Sequence, residues 1–143
     1  MSVNVFRVCA IGAFSIVTAL PQDAATAVYK KQLDDLHAQY SRVLVSAEQM
    51  DSTNLKARLS LTQEEFALLR LVHRLSETAL EANLQGLKSG QPENPALKLV
   101  SLTCDAMGYV LTSIQNYADT GNPIFLNLAR SGDALVSATQ KAM

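Results

Sequence analysis

The sequence predicts an all-α protein: an antiparallel up-down-up-down bundle of about four helices, preceded by an apolar N-terminal segment. Three observations predict it. Apolar residues recur at alternating spacings of three and four, the period of one helix face. Gly, Pro and cap-forming side chains gather in three short clusters, Asp51–Asn54, Gly90–Pro95 and Gly121–Pro123. Between them almost nothing alternates with the period of two that a half-buried strand requires.

The N-terminal segment comes first. Arg7 supplies its single positive charge, and Val8–Leu20 is an uncharged apolar run. Pro21 breaks that run, and Ala24-Ala25-Thr26-Ala27 offers an A-x-A cleavage site after Ala27. Residues 1–27 therefore read as a cleaved signal peptide and residues 28–143 as one helical-bundle domain, periplasmic or extracellular after export. The same run has two other readings, an anchor retained through residues 3–20 and an ordinary intracellular helix. At about 13 residues it is short of the ~20 that cross a hydrocarbon core. Counting from Val3 lengthens it but places Arg7 inside the span, at a cost of about 3 kcal/mol.

The first helix follows from Tyr29, Leu33, Leu36, Tyr40, Val43, Ala47 and Met50, a single apolar stripe. Lys30, Lys31, Asp34, Asp35, Arg42 and Glu48 fall mostly off it. Asp51-Ser52-Thr53-Asn54 then supplies a turn with capping side chains. The second helix carries a start signal at Thr62, with Glu65 as reciprocal partner of a capping box and Leu61 and Phe66 as the flanking staple. Either a short helix from Leu55 to Ser60 precedes it or one longer helix runs through. Phe66, Leu69, Val72, Leu80, Leu84 and Leu87 trace its expected core stripe, widened by Leu68, Leu71 and Leu75. Arg70, Arg74, Glu77, Glu81 and Lys88 form the expected solvated face, and Gly90 and Pro92 stop the helix.

Asn94-Pro95 is a cap followed by proline at the first helical position, where its missing N–H costs nothing. Leu97, Val100, Cys104, Met107, Leu111, Ile114 and Ala118 then keep a strict three-four alternation, which implies coiled-coil-like packing. Gly121 closes this third helix. Asn122-Pro123 repeats the cap-proline device and opens the fourth, with Phe125, Leu128, Leu135, Val136 and Thr139 as its apolar side and a kink or break expected at Ser131-Gly132-Asp133. Connections this short make sequential helices antiparallel neighbours.

Charge excludes one large class of function. The chain has 12 basic and 13 acidic residues, and removing residues 1–27 leaves 11 and 12. A balance of this kind has no footprint for nucleic acid, and no Lys or Arg run marks an anionic or specific lipid surface. Cys9 would leave with the leader, so Cys104 would be alone and no intrachain disulfide is expected. No N-x-S/T sequon occurs.

Few residues are equipped for chemistry. Asp34-x-x-His37 and His73-x-x-x-Glu77 each place a carboxylate and an imidazole on one helix face. If the first two helices are neighbours, His37, His73, Asp34 and Glu77 form a His₂/carboxylate set of the kind that binds a first-row metal ion. The plainer reading is a surface His beside an acid. Cys104 falls on a core stripe, where a thiol is a small apolar filler. No G-x-S-x-G, phosphate-cradling glycine loop or C-x-x-C occurs, so no catalytic residue and no cofactor is expected. Tyr29, Tyr40, Tyr109 and Tyr117 suit either a contact surface or a core with hydroxyls at its rim.

Leu59-Ser60-Leu61-Thr62-Gln63-Glu64-Glu65 resembles the L-T-x-x-Q element of periplasmic stress chaperones and metal sensors of the Spy/CpxP kind. It has Glu65 where that element has Gln, and Leu102-Thr103-Cys104-Asp105-Ala106 supplies no second copy. A capping box accounts for the same letters, and no function is carried across.

The functional expectation is an exported, non-enzymatic bundle that binds another protein, such as an accessory subunit of an envelope or secretion assembly or a small inhibitor or immunity-type protein. The alternatives are a metal or small-ligand carrier using His37 and His73, and a membrane-anchored structural protein retaining residues 1–27. The sequence leaves self-association open.

Overall fold

The computed structural model describes residues 22–143, and these form four helices and no strand: α1 (Gln22–Gln49), α2 (Leu55–Lys88), α3 (Pro95–Thr120) and α4 (Ile124–Lys141). Arg7, Cys9 and the apolar run Val8–Leu20 lie outside the described residues. The expected cleavage stretch Ala24–Ala27 lies within the first turns of α1.

The helix ends follow from local chemistry. Between α1 and α2, Asp51 Oδ1 accepts from the Thr53 backbone N–H at 2.9 Å and from its hydroxyl at 2.7 Å. Asn54 then caps α2, its Oδ1 accepting from the Ala57 N–H at 3.1 Å. The helix thus starts seven residues before Thr62 and runs through as one rod. The expected capping box does not form, because Thr62 and Glu65 lie in a helix interior where the backbone N–H groups already have partners. Thr62 instead donates its hydroxyl to the Arg58 carbonyl at 3.0 Å. Asn94 Oδ1 accepts from the Ala96 and Leu97 N–H groups, and Pro95 takes the first helical position of α3. Gly121 ends α3 at φ 69°, a left-handed conformation that glycine adopts freely, and returns its N–H to the Tyr117 carbonyl at 2.7 Å. Asn122 Oδ1 accepts from the Ile124 N–H at 3.1 Å and opens α4.

Sequential helices are antiparallel. Arg58 near the start of α2 reaches the carbonyls of Ala118 and Asp119 at the end of α3, while Ser76 and Ser101 meet at 3.1 Å further along. α3 is the central element and packs against all three others; α2 and α4 flank it without meeting. Its apolar stripe lies where the sequence places it: Leu97, Val100, Cys104, Met107, Leu111, Ile114 and Ala118 are all buried. Serving three neighbours also buries Ser101, Thr103, Ala106, Val110, Ser113 and Tyr117, so most of its circumference is inside. α3 is long and apolar enough to cross a membrane by composition, with 61% of its most apolar window buried in the bundle. The α1 stripe is likewise the core stripe, with Leu44 added to it.

α4 differs from expectation. It is continuous through Gly132, which is buried. A Cβ there would lie 2.8 Å from Tyr109 Cδ1 and 2.8 Å from Val110 Cγ2, so the glycine lets α4 lie close to α3 and does not break the helix. Leu126, Ala129 and Val136 are the buried side chains, whereas Leu128 and Leu135 face outward.

Between α1 and α4 the seam is polar. Tyr40, buried in the core, donates its hydroxyl to Asp133 Oδ1. Gln140 Oε1 meets His37 Nδ1 and Gln140 Nε2 donates to Asp34 Oδ1 at 3.3 Å, while Arg130 Nε donates to Glu48 Oε1 at 2.8 Å.

Candidate interaction surface

α2 carries two apolar faces, and this is the main departure from the sequence reading. Its core side is Leu61, Glu65, Leu68, Val72, Leu75 and Ala79, a three-four alternation buried against α1 and α3. Of the six residues expected to trace the core stripe, Val72 alone is buried and Leu69 is partly so, while of those expected to widen it Leu68 and Leu75 are buried and Leu71 is exposed. Phe66, Leu80, Leu84 and Leu87 are each about half exposed, at 54%, 53%, 50% and 47%. The larger side chains stand on the outer face, while the inner face includes a carboxylate and an alanine. Size and hydropathy therefore point to the wrong side of this helix.

The outer face has its own regularity. Leu59, Phe66, His73, Leu80 and Leu87 recur every seven residues, all exposed. A straight helix drifts ~20° per seven residues, so these five form a continuous ridge that winds about 80° around the helix from Leu59 to Leu87. Gln63, Arg70, Glu77 and Leu84 make a second exposed row beside it. The Arg70 guanidinium lies 5.6 Å from the Phe66 ring centroid, within cation–π range. The charged residues expected opposite the apolar stripe thus interleave with exposed leucines. An apolar row on both faces of a helix leaves one row without a partner.

Glu65 is the anomaly of the inner face. It is 0% exposed, and neither carboxylate oxygen has a hydrogen-bond partner. The buried serine and threonine hydroxyls are paired: Ser76 with Ser101, Thr103 with the Leu99 carbonyl, and Ser113 with the Tyr109 carbonyl. Burial pushes the Glu65 carboxyl up to about 7, and the nearby Asp119 carboxylate adds to the rise. Arg58, on the same face two turns earlier, gives its donors to the α3 carbonyls. Only the spacing Leu61–Glu65–Leu68 within a stripe could have revealed the burial, and the capping-box letters concealed it.

The four expected metal ligands form two separate pairs. His37 on α1 turns to Gln140 of α4, and its ring stacks on Tyr40 at 5.0 Å. Asp34 meets the same glutamine. His73 and Glu77 on α2 instead line an open groove of about 270 Å³ against Cys104, Asp105 and Gly108 of α3. Among the described residues no group of three or more His, Cys, Asp or Glu side chains is placed to hold a metal ion.

Cys104 is buried, and desolvation first, then Asp105, pushes its thiol up to about 12, so it stays protonated. The tyrosines do not share an edge. Tyr40 and Tyr117 are core residues, and Tyr29 is half-buried with its hydroxyl on the Thr78 carbonyl at 3.4 Å. Tyr109 is the one that stands out to solvent among them. Comparison of the chain with family models, with curated proteins and with solved structures finds no match.

Proposed function

We propose that this chain is an exported, non-enzymatic helical-bundle protein that works by binding another protein, and that the outer face of α2 is its contact surface. The observation that carries the reading is the second apolar surface of α2, the ridge residues Leu59, Phe66, Leu80 and Leu87 with Leu84 beside them, on a helix whose first row already fills the core. Five large apolar side chains gathered on one side of a rigid rod cost solvation free energy in the free protein, and a partner helix laid along them recovers it. Arg70, Arg74, Glu77 and Glu81, exposed beside the row, supply the polar rim that gives such a contact its orientation. The export part of the reading rests on residues 1–27, as argued from the sequence.

The test is a pair of substitutions, Leu80→Glu and Leu84→Glu, in the full chain. Both positions are exposed, so the helical circular dichroism spectrum and the unfolding midpoint should hold. Retention of a specific protein from an envelope fraction should be lost. Specific turnover in a panel of hydrolase substrates, abolished by His37→Ala, would overturn the non-enzymatic reading.

A further inference from the structure

We infer that the partner of the α2 outer face is a second copy of this chain, paired antiparallel to the first about a two-fold axis at His73. This inference rests on the outer face being a contact surface, and it makes the protein bound there another molecule of the same chain rather than a foreign one.

The ridge is self-complementary when reversed. Leu59 and Leu87 lie equally far from His73, as do Phe66 and Leu80. Turning one helix end for end therefore sets Leu59 against Leu87, Phe66 against Leu80 and His73 against itself. Every large side chain of the row meets an apolar counterpart, and each contact occurs twice, as an isologous interface demands. The charges reverse close to the same point, with Arg70 three residues before His73 and Glu77 four after it. Arg70 lies before the axis and Glu77 after it, both exposed and both in the adjacent row. The antiparallel pair brings Arg70 of each copy beside Glu77 of the other. A parallel pair would stack Arg70 on Arg70 and Glu77 on Glu77, which repel.

The experiment uses the full chain and reads its mass in solution by sedimentation equilibrium across a concentration series. The wild type should approach twice 15.5 kDa. Phe66→Glu alone and Leu80→Lys alone should each halve that mass with the helical spectrum unchanged. The double variant Phe66→Glu/Leu80→Lys should restore the doubled mass, because the new carboxylate of one copy faces the new ammonium of the other. Within one chain the two positions are about 21 Å apart along the helix and do not meet. A monomeric wild type overturns the self-pairing and leaves α2 free for a different protein, which the Leu80→Glu retention experiment tests separately. A dimer indifferent to Phe66→Glu places self-association elsewhere on the chain and overturns it as well. Loss in both single variants without rescue in the double one overturns the antiparallel register.

Discussion

Replacing Glu65 by glutamine should remove a pH dependence from folding. The carboxyl rises from 4.5 to about 7 because the folded chain buries it without a hydrogen-bond donor, with the Asp119 carboxylate nearby. A raised pKa means that the folded state holds a proton the unfolded state has released. Stability contributed by that proton is complete below pH 4.5. It then declines as pH rises toward 7 and is gone above it. Each unit is worth about 1.4 kcal/mol, so the whole decline is about 3 kcal/mol. Glutamine keeps the shape and the unsatisfied polarity but carries no titrating proton. Urea unfolding of the two proteins at pH 4, 5.5, 7 and 8.5 gives the difference variant minus wild type, in which His37, His73 and every exposed carboxylate cancel. That difference should grow by about 3 kcal/mol from pH 4 to pH 8.5, nearly all of it below pH 7.5. A difference flat across this range would show that Glu65 is solvated or paired in solution, and would refute the burial argument.

Three further outcomes are expected. Gly132→Ala places a methyl against Val110, which is buried and cannot swing away, so the variant should lose about 1–3 kcal/mol by chemical unfolding. Tyr40→Phe removes the hydroxyl that binds Asp133 while the ring still fills the core, and should cost about 1.5–3 kcal/mol, as expected for a hydrogen bond to a charged acceptor. Peptide-resolved alkylation of the native protein at pH 8 should leave Cys104 unmodified until denaturant is added, and rapid native labelling would contradict its burial.

What the sequence discloses depends on how many neighbours a helix serves. α1 and α3 were legible because each has one dominant apolar stripe, and the stripe that is visible is the stripe that packs. Their ends were legible too, since Asn94, Pro95 and Gly121 act locally. α2 is ambiguous in the sequence because both of its faces alternate in threes and fours. Its larger residues are on the face away from the core, and only tertiary packing decides between them. Thr62 and Glu65 show the same limit. Four letters that can start a helix also occur inside one, and the Asn54 cap upstream settled the matter. Asp34 and His37 both turn to Gln140 of α4, while His73 and Glu77 border α3, and no spacing within one helix can reveal which neighbour a side chain meets. In α4 the small residues Ala129 and Gly132 mark the buried side, and their lack of bulk made Leu128 and Leu135 look like the core.

The polar seam between α1 and α4 has a consequence for how the chain shuts. An oily seam tolerates a slip of one heptad, because leucine replaces leucine at little cost. A phenol that must find one carboxylate, and a glutamine that must serve both an imidazole and an acid, do not. Tyr40–Asp133 and Gln140 with Asp34 and His37 therefore act as a keyed latch. They admit a single alignment of the last helix on the first.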